Sequence, residues 1–319
     1  MMLPLLPHGY DLRPYRPRSD RSAIERLWTA AFDSTWPIDP ETLHNILATQ
    51  NGTNPGSCDV VAHQRPIGLV AYQQNRHARH EGSIVLVLVD ADYRRKKIGK
   101  TLVKTAVLNL RKTGVRRVVL GAWADPQFWH GVPENCPDGK EFFRALGWQY
   151  YEHNADLVVD LPSFVWPASL KTRLTNYDTI FRTATEDDHD QIIQFVEREY
   201  QGFAPYYFDE LKRNGPNQIR LAITNGRIDA AIIKAYYPHC PGSQWHRLLG
   251  SDMCAMGGLL VRRDMRRRGL GLGLCSFTLD EMKRDGSRNS YLEWATIIDM
   301  YQQLGGKVWQ TYSQAVIDL

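Results

Sequence analysis

Cysteine is scarce in this chain, five among 319 residues. Cys58, Cys136, Cys240, Cys254 and Cys275 are scattered, odd in number and never paired as Cys-x-x-Cys. That excludes a disulfide framework and the usual zinc spacing, and it points to a reducing compartment, cytoplasmic or nuclear. The histidines show no ligand spacing either, so no metal site is expected. No run approaches the roughly 20 apolar residues that a membrane span needs. The start, Met1-Met2-Leu3-Pro4-Leu5-Leu6-Pro7, lacks a basic residue and is broken by two prolines, so it reads as a lead-in and not as a signal peptide. Charge of one sign is lacking too: a net +4 suits an anionic ligand without demanding nucleic acid. What is present is a globular balance, 43% hydrophobic and 23% charged, over a length that suits two cores better than one.

Laid on itself, the sequence repeats weakly with a period of about half its length. Each half opens with a short strand (Tyr10-Asp11-Leu12-Arg13; Thr179-Ile180-Phe181-Arg182) and then a helix with apolar residues at helical spacing: Ile24, Leu27, Trp28 and Ala31, then Ile192, Ile193, Phe195 and Val196. Thr185 and Asp188 form a capping-box pattern, and Asp39-Pro40 reads as the start of a further helix carrying Leu43, Ile46 and Leu47. Hairpins follow, one turning near His63-Gln64-Arg65-Pro66, the other at Asn225-Gly226, a pair that tolerates positive φ. Next, Ile84-Val85-Leu86-Val87-Leu88-Val89 runs into Arg94-Arg95-Lys96-Lys97-Ile98-Gly99 and a helix, as Met256-Gly257-Gly258-Leu259-Leu260-Val261 runs into Arg266-Arg267-Arg268-Gly269-Leu270-Gly271 and a helix. Arg94 aligns with Arg266, Gly99 with Gly271 and Gly114 with Gly286, without a gap. A strand follows each helix, at 118–123 and 291–295. Each half closes on a glycine-stopped helix (Phe143-Arg144-Ala145-Leu146-Gly147; Tyr301-Gln302-Gln303-Leu304-Gly305) and a short strand, 149–151 and 307–309. Between the halves, 162–175 holds Pro162, Ser163, Pro167 and Ser169 without a clear period and reads as a linker.

Arg266-x-x-Gly269-x-Gly271 lies between a strand and a helix. Two glycines let the backbone approach a ligand closely. The first-turn amides of a helix lack intrahelical partners and sit at the positive end of its dipole, so the turn is a pocket for phosphate, with three arginines beside it. The spacing matches neither Gly-x-Gly-x-x-Gly nor a P-loop.

The motif and the order of elements around it resemble the GNAT superfamily of acetyltransferases, twice along the chain. The resemblance implies an α/β (α+β) fold class: two tandem GNAT folds, each a mixed, mostly antiparallel twisted sheet flanked by helices. It divides the chain into 1–161, a domain with a degenerate motif, a linker at 162–178, and 179–319, a domain with an intact motif. It implies acetyl-CoA as cofactor, with pyrophosphate on Arg266, Arg267, Arg268, Gly269, Leu270 and Gly271, and the pantetheine arm paired with the strand at Leu259 and Val261. Tyr301 takes the family position of the general acid that protonates the CoA thiolate. In the first half Lys97 replaces the first motif glycine and Phe143 replaces that tyrosine. The segment from Glu293 to Trp309 is similar to the acetyltransferase part fused to family 3 β-N-acetylglucosaminidases, which implies an amino sugar such as glucosamine as acceptor.

Acyl transfer to an amine also needs the amine deprotonated. Candidate bases are Glu293, on the strand after the motif helix, and Asp299, just before Tyr301. Each has a plainer reading: Glu293 as a solvated strand residue, Asp299 as a helix N-cap, Tyr301 as a buried hydrogen-bonding phenol, and the arginines as a nuclear signal or nucleic-acid patch. Asp125-Pro126-Gln127-Phe128-Trp129-His130-Gly131-Val132-Pro133 has no counterpart in the second half and reads as a loop able to cover a substrate. The expectation is an acetyl-CoA-dependent N-acetyltransferase with a small-molecule primary amine as partner, no nucleic acid and no membrane. The alternatives are a protein-lysine acetyltransferase and a non-catalytic sensor of CoA or amino sugar.

Overall fold

Ala23, Ile24, Leu27 and Trp28 recur at helical spacing and form the buried face of α1 (Pro17–Phe32). A computed structural model describes residues 6, 8–32, 34–49, 56–121, 128–174 and 178–319. Most of the lead-in, Trp123, Asp125, Pro126, Gln127 and Thr175 lie outside the described residues. The chain forms two units, Met1–Asn154 with Gln310–Leu319, and Ala155–Trp309.

The first unit holds β1 (Asp11–Pro14), α1, α2 (Pro40–Thr49), β2 (Gly56–His63), β3 (Arg65–Gln74), β4 (Glu81–Val89), α3 (Ile98–Lys112), β5 (Arg117–Leu120), β6 (Val132–Pro133), α4 (Pro137–Ala145) and the start of β7 (Gln149–Asp160). Antiparallel pairing joins β1, β2, β3 and β4 in that order. β4 then pairs in parallel with β5 from Glu81↔Arg117 to Ile84↔Leu120, a connection that requires the crossover helix α3. The core of this unit gathers Val70, Ile84, Leu102, Ala106, Val118 and Phe143.

The second unit repeats the plan. It contains the end of β7, α5 (Ala168–Leu174), β8 (Thr179–Thr183), α6 (His189–Glu199), α7 (Ala204–Asn214), β9 (Ile219–Thr224), β10 (Arg227–Tyr236), α8 (His246–Leu249), β11 (Met253–Val261), α9 (Leu270–Arg284), β12 (Asn289–Ala295), α10 (Ile298–Gln302) and the start of β13 (Lys307–Asp318). The expected Asn225-Gly226 turn joins β9 and β10, with φ of +51° and +73°. β11 pairs antiparallel with β10 and, in parallel, with β12 only from Met253↔Asn289 to Ala255↔Tyr291. A bulge at Gly258, φ +65°, offsets β11 against β10 and presents its carbonyl to the Tyr207 hydroxyl at 2.8 Å.

Three local features differ from the sequence reading. α5 occupies 168–174, where no period was visible. The closing strands β7 and β13 run for 12 residues each, well past the short segments expected. Their far ends are also exchanged in sequence: the end of β7 pairs with β12 inside the second unit, and the end of β13 pairs with β5 inside the first.

The capping box at Thr185 and Asp188 is present, and Arg182 adds a two-pronged ion pair to Asp188 at 2.7 and 2.8 Å. Arg13 and Asp20 make the same fork in the first unit at 2.7 and 2.8 Å. Arg182 is the main reason the Asp188 carboxyl lies at about 2 instead of 3.8. A depressed carboxyl stabilises the fold above its unfolded value and loses that contribution as pH falls through the folded one. Asp188→Asn is therefore expected to destabilise the protein at pH 5 by about 1–2 kcal/mol, and the gap to wild type should close toward pH 2. Urea unfolding at both pH values checks this; an equal gap at each would remove the ion pair as its source.

Candidate active site

β11 delivers the chain into a tight turn. Arg262 is buried there, its backbone N–H on the Asp229 carbonyl at 2.8 Å and its guanidinium on Asp229 at 3.0 Å and Asp264 at 2.6 Å. The Glu199 carboxylate accepts the Arg263 amide at 2.9 Å. The two backbone bonds and these ion pairs hold the strand end, so Arg262 serves the fold. Arg266, Arg267 and Arg268 are exposed beyond it. The Arg266 Nε donates to the Val261 carbonyl at 3.0 Å, closing the turn. Arg267 takes φ +62° and Gly269 φ +87°, and α9 begins at Leu270.

The first helical bond of this turn runs from the Gly273 amide to the Gly269 carbonyl at 2.8 Å. The amides of Leu270, Gly271 and Leu272 therefore lie ahead of the ladder, at the positive end of the dipole, and no acidic residue occupies the first turn. A Cβ added at Gly271 would lie 3.2 Å from Val261 Cγ2 and 3.5 Å from Leu259 Cδ2. Gly271 thus packs on its strand with no room for a side chain, and the free first-turn amides suit an anionic phosphate group such as a pyrophosphate. Leu259 and Val261 are half-buried on the stretch of β11 beyond Ala255, where the pairing with β12 has ended. An extended arm with amide groups can lie along such a strand edge.

Tyr301 sits on α10, half-buried against the same core as Leu259, Val261 and Cys275 of α9. Burial, with Cys275 adding a little, pushes its hydroxyl well above the ordinary phenol range, so it carries its proton at neutral pH. Glu293 is half-buried on β12. Asp299 is exposed in the first turn of α10. It is not the N-cap, a place held by Ile297, and its backbone carbonyl takes the Gln303 side-chain amide at 3.3 Å. The structure thus gathers Leu259, Val261, Gly271 and Tyr301 around one core and leaves Asp299 at the surface.

Two residues here escaped the sequence reading. Tyr206 lies across the bulge, with ring carbons 3.3 and 3.5 Å from where a Gly258 Cβ would sit, and stays 37% exposed. Asp156, at the far end of β7, is fully buried and accepts the Tyr291 hydroxyl at 2.5 Å and the Trp294 amide at 2.9 Å. No local pattern marks Asp156, because its strand was read only to residue 151. An aromatic two residues into a Pro-containing helix start was the one available hint of Tyr206.

The first unit repeats the motif backbone closely. Arg94 has φ −65° and ψ 162° against −68° and 159° for Arg266. Its Nε donates to the Val89 carbonyl at 3.3 Å. Arg95 takes φ +63°, and Lys97 takes the left-handed place of Gly269 at φ +65°. The surroundings differ. The Phe142 ring lies 3.2 Å from the position of a Gly99 Cβ. Phe143 is buried edge-on against Phe142 and Trp148, with no hydroxyl to offer. The described part of the aromatic segment expected to cover a substrate, from Phe128 on, is instead core: Phe128 and Trp129 are buried, and Trp129 stacks on Trp28 at 5.7 Å and meets Trp36 at 5.5 Å. Its backbone closes on Gly121, where a Cβ would fall 2.5 Å from the Gly131 nitrogen. Bulky rings bury more area in packing than in covering a wet site.

Residues 21–127 match the model of the acetyltransferase (GNAT) family. No curated protein matches the chain. Among solved structures, the GCN5-related glucosamine N-acetyltransferase region of a fungal multi-domain GH3 β-N-acetylglucosaminidase aligns with 98% of the chain at TM-score 0.89 and 22% identity. The chain spans only 38% of that protein. A GCN5-related N-acetyltransferase from Sphaerobacter thermophilus aligns over 98% of this chain and 97% of its own at TM-score 0.72 and 16% identity. A tandem GNAT protein from the clavulanic acid biosynthesis pathway aligns over 97% and 98% at TM-score 0.63 and 15% identity. Among the described residues no group of side chains could hold a metal, and no helix is long and apolar enough to cross a membrane. The mostly antiparallel sheets, the strand-to-helix cradle and these matches converge: residues 21–127 match the GNAT acetyltransferase family model, and the chain has the GNAT fold over nearly its whole length.

Proposed function

We propose that the protein is an acetyl-CoA-dependent N-acetyltransferase that works through its second unit on the primary amine of a small acceptor, an amino sugar such as glucosamine. The observation that carries this is the cradle at Gly269, Leu270 and Gly271, whose floor of Leu259 and Val261 packs on the same core as the half-buried Tyr301. Arg266, Arg267 and Arg268 surround the cradle with positive charge suited to the phosphates of CoA. Leu259 and Val261 offer backbone groups to the pantetheine arm. Acetyl-CoA, when bound, supplies the thioester and a leaving thiol. The chain's own part is to hold the two reactants together, to accept a proton from the amine and to give one to the departing sulfur. Tyr301 is protonated and suited to the second task. For the first, Glu293 is the better placed of the two carboxylates, because it lies on β12 beside the parting of the strands whereas Asp299 faces solvent.

The amino-sugar acceptor is supported by the likeness to the glucosamine N-acetyltransferase region and by Tyr206, whose exposed ring over the Gly257-Gly258 bulge offers a flat face for the C–H groups of a sugar ring. The test is release of free thiol from acetyl-CoA over a panel of amines. Glucosamine should give the highest kcat/KM, and lysine peptides should give at most about a hundredth of it. Higher kcat/KM with a peptide would replace the sugar by protein lysine; no release with any amine would favour a binding protein without turnover.

A further inference from the structure

The pairing of β12 with β7 slips by one residue. Leu292 stands opposite Leu157 and Ala295 opposite Ala155, so Glu293 and Trp294 together face Asp156. Such a bulge leaves a backbone amide outside the ladder. Here that amide belongs to Trp294, and Asp156 takes it on a carboxylate oxygen at 2.9 Å. Trp294 has φ +47°, which costs a bulky residue roughly 1–3 kcal/mol and persists only where the surroundings impose it. The other oxygen of Asp156 accepts the Tyr291 hydroxyl at 2.5 Å. The Tyr291 ring is itself wedged: a Cβ at Gly242 would come within 2.5 Å of it, and Trp309 meets it edge-on at 5.8 Å.

The bulge stands just past Ala255↔Tyr291, the last pair before β11 and β12 part. It therefore sets the direction of Glu293 and Trp294 at the mouth of the groove. The first unit supplies an internal control. At the same place in β13, the strand equivalent to β7, stands Gln314, and Val119 pairs with Ser83 as Tyr291 pairs with Ala255. That unit makes the same strand pairs as far as Ile84↔Leu120 and Val316↔Val119 without carboxylate or phenol, so these pairs do not require Asp156 and Tyr291. Both are absent from the unit that also lacks the motif glycine and the tyrosine of the last helix.

We infer that Asp156 is a positioning residue for the acceptor side of the site: it clamps the Trp294 bulge and so aims Glu293 and Trp294 at the amine. The inference rests on the acetyltransferase reading of the same groove. The experiment compares Asp156→Ala and Asp156→Asn with wild type in the full chain. It measures acetyl-CoA affinity by calorimetry, kcat and KM for the amine by thiol release, and hydrogen exchange of the peptide around Trp294. Asp156→Ala should leave acetyl-CoA binding within about threefold, lower kcat/KM for the amine about 100-fold and speed Trp294 exchange. Asp156→Asn keeps an oxygen for the amide and should recover to within about tenfold of wild type.

Unchanged exchange at Trp294 in Asp156→Ala overturns the clamp. So does a loss of acetyl-CoA affinity as large as the loss of kcat/KM, or an Asn variant no better than Ala. Should Asp156→Ala fail to fold, Tyr291→Phe leaves the amide bond and removes the other; it should cost about tenfold in kcat/KM with acetyl-CoA binding kept, and no effect overturns the proposal. A wild-type protein inactive on every amine refutes the acetyltransferase reading, and the exchange measurement still decides the clamp.

Discussion

Tyr301→Phe is expected to lower kcat about 100-fold or more while the acetyl-CoA dissociation constant moves by less than about threefold. The substitution removes one oxygen and leaves the ring, which packs half-buried against the core around Cys275. Little packing is lost, so binding and folding should be spared. What disappears is a phenolic proton, present at neutral pH in any tyrosine and here held more firmly because burial pushes the hydroxyl above the usual phenol range. A thiolate that departs without a donor must leave as an anion in a water-poor groove, and that penalty falls on the transition state alone. The variant should also flatten any alkaline fall in rate that arises from ionising this phenol. Steady-state kinetics with calorimetry checks both; full activity in the Phe variant would leave Tyr301 a structural role. Phe143 stands at this position in the first unit, so that unit already lacks the hydroxyl.

Gly271→Val should raise the acetyl-CoA dissociation constant about 100-fold or more, the largest effect expected on binding. A single Cβ at Gly271 already comes to 3.2 Å from Val261 Cγ2, so two further methyls must press α9 off β11 and displace the amides of residues 270–272. Loss of two charge-assisted bonds to phosphate, at about 1.5–3 kcal/mol each, accounts for that factor. Gly269→Lys should be milder, because Lys97 holds the corresponding left-handed position at φ +65° with the loop intact. Titration should find about one acetyl-CoA per chain, since Phe142 lies against Gly99 in the first unit while Gly271 meets only its own strand. Two equivalent sites, or unchanged affinity in Gly271→Val, would take the second-unit cradle out of the mechanism.

The match of the family model to residues 21–127 falls on the half whose motif departs from the family pattern. The geometry accounts for both facts. Arg95 and Lys97 adopt the positive φ values of Arg267 and Gly269, so the loop survives the loss of glycine, and the signature of strand, loop and helix persists in sequence. The last helix and the aromatic segment change what surrounds that loop, and they lie mostly beyond the matched span.

The amino-acid order alone determined what is decided within a few residues: the duplicated strand–loop–helix, the Thr185–Asp188 cap, the Asn225-Gly226 turn and the position of Tyr301 on a glycine-stopped helix. Backbone propensity, capping and hydrophobic period act over one or two turns, and contiguous residues record them. Tertiary structure decided the rest. Only pairing of β7 with β12, across more than 130 residues, brings Asp156 to the Trp294 amide. Only packing of α4 on α3 sets Phe142 over Gly99, and only burial against Trp28 and Trp36 turns Trp129 from a loop residue into core. Such contacts depend on which distant surfaces meet when apolar area leaves water, and that choice is made by the whole fold.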